Sequence, residues 1–159
     1  MPSRVLVAMR VRATPERAFQ AFTMEIGSWW RPNGLFQFTA QGPGRLAFEP
    51  GPEGRLVERL SDGRVFEIGR IRVWQPPTEL VFGWRQESFR PDQKTEVRVG
   101  FEAVGEETRV TVEHLGWDTV PPEHVARHGF PAAIFLRRHA EWWQRLLTSM
   151  GVAVAGDRQ

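Results

Sequence analysis

Four histidines, no cysteine and no tyrosine set the reactive side chains of this 159-residue chain apart from its apolar bulk. His139 stands inside a run of large apolar residues, between Phe135 and the pair Trp142-Trp143. A histidine there either bonds to a core carbonyl or meets a ligand as a contact or proton carrier. His114 shares the alternation of Val110 and Val112, so it too faces inward, and two inward histidines would make a polar spot in an apolar pocket. His124 and His128 are four apart and could share a helical face as metal ligands. The stretch HVARH lacks the glutamate of a zinc-hydrolase helix and no third ligand has telling spacing, so no metal is expected. Ser3, Ser28, Ser61, Ser88 and Ser149 lack a nucleophile-elbow context. Glu58, Glu67, Glu96 and Glu113 alternate out of step with apolar neighbours and read as solvent-face charges, not as a catalytic carboxylate pair.

The same counts exclude whole classes of chemistry. Without cysteine there are no disulfides, thiol nucleophiles, iron-sulfur clusters or Cys-type zinc sites, and a cytoplasmic setting is the expectation. The apolar run Val5 to Met9 is too short for a signal-peptide core or a membrane span, so neither export nor insertion is expected. The pI near 10.3 accompanies a formal charge of only +2. With one lysine, Lys94, almost nothing titrates between histidine and arginine, and the high pI is a titration gap. The arginines are interleaved with glutamates and form no basic block, so nucleic acid is not an expected partner. Gly42-Pro43-Gly44 is no dinucleotide fingerprint, and no cofactor is expected.

The elements that must hold the two histidines are legible. Residues 4 to 12 alternate as a half-buried strand. Thr14 and Pro15 start a helix whose apolar side is Ala18, Phe19, Ala21 and Phe22, and Ile26, Trp29 and Trp30 extend it as a short second helix. From Phe36 to Leu115, short alternating segments separated by Gly, Pro and Asp-Gly read as a six-stranded antiparallel meander: 36 to 40 or 45 to 49, then 55 to 60, 65 to 75, 79 to 86, 95 to 103 and 108 to 115. Between Ala132 and Met150, Trp142, Phe135, Leu146, His139, Met150, Trp143, Leu136, Leu147 and Ala140 fall in one arc of about 160°. Gly151 is the expected stop of this helix, giving a single domain over 1–151 and a flexible tail over 152–159.

The expected fold is therefore α+β: a curved antiparallel sheet of about seven strands, two short helices after strand one, and a long C-terminal helix. In the segments ATPERAFQAFTMEIGSWW (13 to 30), GRLVERLSDGRVFEIGRIRVWQPPTELVFGW (54 to 84) and VRVGFEAVGEETRVTVEHLGW (97 to 117), the chain resembles the helix-grip, START-like (SRPBCC) superfamily. Within it, the resemblance is to the activator of heat-shock-protein-90 ATPase-like family. That resemblance implies a sheet gripping the long helix around an apolar cavity that binds small hydrophobic molecules. The cavity candidates are His139, His114, Trp84, Phe135, Trp142, Trp143, Phe101 and Trp30. Ligand binding ranks first. A cyclase or hydratase acting on an aromatic or polyketide-like substrate, with His139 or His114 moving protons, is the enzyme alternative. A chaperone-interacting module is the third reading, ranked lower because the family's founder carries an additional N-terminal domain. A homodimer is left open.

Overall fold

The computed structural model describes residues 4–31, 38–121, 123–127 and 129–155. Strand β1 (Arg4–Val11) is followed by helices α1 (Pro15–Met24) and α2 (Ile26–Trp29). Strands β2 (Arg45–Phe48), β3 (Arg55–Arg59), β4 (Val65–Gln75), β5 (Glu79–Trp84), β6 (Thr95–Val104) and β7 (Glu107–Leu115) come next, and α3 (Ala132–Ala155) ends the described chain. Two short 3₁₀ turns, Trp117–Thr119 and Val125–Arg127, lie between β7 and α3.

All seven strands form one antiparallel sheet in the order β1-β7-β6-β5-β4-β3-β2. It is a meander from β2 to β7, with β1 added at the far edge. Register sets the inner face. Phe82, Val97, His114 and Val5 form one cross-strand row, and Leu80, Val99, Val112 and Val7 form the next. Because side chains alternate with period two, these eight residues share a face, and all eight are buried.

The helices begin and end for local reasons. The Thr14 hydroxyl accepts the backbone N–H of Arg17 at 3.2 Å, Pro15 opens α1, and Ala18, Phe19, Ala21 and Phe22 are buried against the sheet. Helix α3 packs along β1 and against α1 and α2. Seven members of its nine-residue arc are buried, with Leu136 and Ala140 half-buried at the margins.

Two expectations are corrected, and one pair of alternatives is decided. Helix α3 does not stop at Gly151 but runs through it to Ala155. Gly151 faces Val11 of β1, and Val154 is buried one turn further on, so tertiary packing carries the helix past a residue of poor propensity. Positions 156–159 of the expected tail lie outside the described residues. Of the alternative first segments of the meander, 45 to 49 forms β2; residues 36 and 37 lie outside the described residues, and 38–40 form bends and a turn. Glu58 is no solvent-face charge: it is 2% exposed, accepting from the Thr39 hydroxyl at 2.7 Å and the Gly44 N–H at 3.2 Å. Glu58 is two residues from the buried Leu56 and pairs across with the buried Leu46, so period-two alternation along β3 puts it on the inner face. Glu67, Glu96 and Glu113 do lie on the outer side, each paired with arginine.

The packing of α3 has a measurable consequence. Phe135→Ala should cost about 3–5 kcal/mol in denaturant melts, whereas Arg138→Ala on the exposed face should change stability by no more than about 0.5 kcal/mol. A loss below about 1 kcal/mol for Phe135→Ala would contradict this account of the core.

Candidate functional site

Both inward histidines are where the alternation of β7 and the arc of α3 place them, and both are fully buried. They touch. His139 Nε2 lies 3.0 Å from His114 Nδ1, and Trp143 Nε1 donates to the same His114 nitrogen at 3.3 Å. On its other edge, His114 Nε2 lies 2.9 Å from the Thr95 hydroxyl, which donates its proton to the Trp84 carbonyl at 2.7 Å.

Proton counting fixes the tautomers. The single hydroxyl proton of Thr95 is committed to Trp84, so Thr95 accepts from His114, and His114 carries its proton on Nε2. His114 Nδ1 is then a lone-pair acceptor for both Trp143 and His139, which places the proton of His139 on Nε2 and its lone pair on Nδ1. Burial pushes the His114 imidazole down from 6.5 to about 3, and burial together with His114 holds His139 well below 6.5. Both rings are neutral at physiological pH.

Aromatic rings surround this relay. Trp84 and Trp117 each lie 5.1 Å from the His114 ring, and Trp117 and Phe135 pack on His139 at 4.9 and 5.3 Å. Trp30 bridges Trp84, Trp142 and Trp143 at 5.5–5.8 Å. Seven of the eight sequence candidates are thus in one cluster, with Trp30, at 9% exposure, the most accessible of them. Phe101 is not among them. It lies four residues further along β6 from the His114 row and packs with Phe19 and Phe22. Each tandem tryptophan pair buries both of its rings, the second ring covering the junction between α2, α3 and the sheet.

Sequence reasoning missed Thr95 and Trp117. Thr95 has the same phase on β6 as Val97 and Val99, so its inward direction was readable, but a threonine at a strand start draws no attention. Trp117 is turned back into the core by Gly116 at φ +93°, where a side chain would also strike the Lys94 carbonyl. An open groove of about 430 Å³ runs along β4 and β5, and its lining includes Trp84, Thr95, Phe89 and Arg85. His124 accepts from the Ala126 N–H through Nδ1 and donates from Nε2 to the Ser88 carbonyl, while His128 lies outside the described residues. No helix among the described residues is long and apolar enough to cross a membrane.

A curled antiparallel sheet closed over a long C-terminal helix is the helix-grip architecture. Residues 12–155 match the family described as activator of Hsp90 ATPase homolog 1-like protein, and the chain belongs to that family. Similar solved structures include the following three. An anthrahydroquino-gamma-pyrone synthase, Txn09, is 31% identical, with 85% of this chain and 87% of that one covered at a TM-score of 0.51. The self-sacrificing resistance protein CalC from Micromonospora echinospora is 27% identical, covering 97% and 95% at 0.60. An HSP90 activator from Plasmodium falciparum is 16% identical, covering 96% of each chain at 0.63, which is a likeness of fold. No curated protein matches the chain.

The neutral relay predicts a pH dependence of known sign. Unfolded histidines bind protons below about pH 6.5, while folded His114 and His139 do not until far lower, so stability is retained above pH 6.5 and lost as pH falls toward 3. Urea melts between pH 6.5 and 5.0 should show up to about 1.4 kcal/mol lost per pH unit per histidine. His139→Gln should reduce that slope, and an unchanged slope would mean the folded ring already titrates normally.

Proposed function

We propose that the protein binds a small, largely apolar molecule between the sheet and α3, with the His139–His114–Thr95 relay as its polar contact. One observation carries this reading: two neutral histidines and an indole share protons at the centre of an aromatic cluster, an arrangement of few polar groups in apolar walls that suits recognition of a hydrophobic ligand. The rings of Trp30, Trp84 and Trp143 are in mutual contact, so a ligand in this space displaces them. The cysteine-free composition supports a cytoplasmic setting for this binding.

A second reading is catalytic, and the 31% identity to a synthase favours it. His139 Nδ1 then takes a proton from bound substrate, and His114 orients the imidazole through its bond to Nε2. The chaperone reading is supported by the family's description and by the fold likeness to an HSP90 activator.

Titration with Nile red, a neutral apolar fluorophore, tests the pocket, and native mass spectrometry of the purified protein tests for a retained ligand. His139→Gln should weaken Nile red binding about two- to tenfold, the scale of one hydrogen bond, with the fold intact. If the site is catalytic, the same change should lower turnover by about a hundredfold with little loss of binding. Nile red binding that is absent, or indifferent to His139→Gln, would overturn the reading.

A further inference from the structure

Arg127 is only 4% exposed, yet no carboxylate among the described residues pairs with it. Its Nη1 donates to the Val120 carbonyl at 3.1 Å, and its guanidinium lies 4.8 Å over the Phe135 ring. Nε and Nη2 are buried with no hydrogen-bond partner among the described residues. A guanidinium keeps its charge in proteins, and a buried charge without an opposite one is costly. The two vacant donors are on one edge of the guanidinium, and they point the same way. The chain shows what that edge fits: Arg55 uses Nε and Nη2 to hold both carboxylate oxygens of Glu49, at 2.7 and 2.9 Å. Phe135, the ring under Arg127, packs against both His139 and Trp117, and the buried Trp117 Nε1 is likewise a donor with no acceptor among the described residues. Arg127 and Trp117 therefore offer donors, one of them charged, beside the aromatic cluster.

We propose that Arg127 is the anion anchor of the binding site, its Nε and Nη2 edge taking the carboxylate of an apolar acid whose body lies against the aromatic rings. This rests on the small-molecule reading and narrows it to carboxylate-bearing ligands. Two probes of nearly the same shape decide it, 2-naphthoate and the neutral 2-naphthamide, titrated calorimetrically. The wild type should bind the acid about tenfold or more tightly than the amide, the scale of a charge-assisted bond. Arg127→Gln should erase that preference, and Arg127→Lys should keep part of it. Without ligand, Arg127→Gln should not lower the melting temperature, as it would if the arginine were a structural brace. Equal binding of acid and amide by the wild type, a comparison that needs no variant, overturns the anchor and leaves the pocket. Failure of both probes where Nile red binds also overturns the anchor alone; failure of all three overturns both readings.

Discussion

The imidazole of His114 is bonded on both of its edges, and the interior is arranged around keeping it uncharged. Through Nε2 it holds Thr95 and, beyond it, the backbone of Trp84; through Nδ1 it accepts from two residues of α3. One ring thereby ties three neighbouring strands to the long helix. Protonation would remove the only acceptor that His139 and Trp143 share in this relay, and the surrounding rings offer little to solvate a charge. The aromatic enclosure and the polar relay consequently depend on each other: the rings hold the histidine neutral, and the neutral histidine fixes the rings.

The sheet makes this junction by register alone. His114 is in a row with Phe82, Val97 and Val5, and the neighbouring row contains only aliphatic residues. The His114 relay thus lies at the end of the sheet where β7 turns into Gly116 and Trp117. Phe101, at the other end of the same face, belongs with Phe19 and Phe22. Phe19 and Phe22 of α1 thus cover one end of this face, and His139 and Trp143 of α3 cover the other.

What could be read from the sequence follows from periodicity. The meander, the capping of α1 by Thr14 and the buried arc of α3 are each written in local spacing, and so is the inward direction of both histidines. Their contact with each other is not, because it depends on how α3 crosses the sheet. Glu58 escaped for a different reason: Leu56 and Val57 are both buried, so β3 is covered on both faces and the charge of residue 58 was a poor guide to its side. Arg127 sits in a 3₁₀ turn with no period to read, and its burial without a counter-ion is visible only in three dimensions. Gly151 misled because packing against Val11 outweighs intrinsic preference.

The edge position of β1 sets an order of events for a chain made from its N-terminus. Its partner β7 ends at Leu115, and α3, which covers it, begins only at Ala132. At about 5–20 residues per second, Val5, Val7 and Val11 wait several seconds on the ribosome before either surface exists. The strand synthesised first is the one that closes the sheet, and it must stay unpaired while β2 to β7 assemble as local hairpins. A ribosome-bound chain stalled before Leu115 would carry an apolar strand with nowhere to dock, and such an intermediate is a natural client for a holding chaperone.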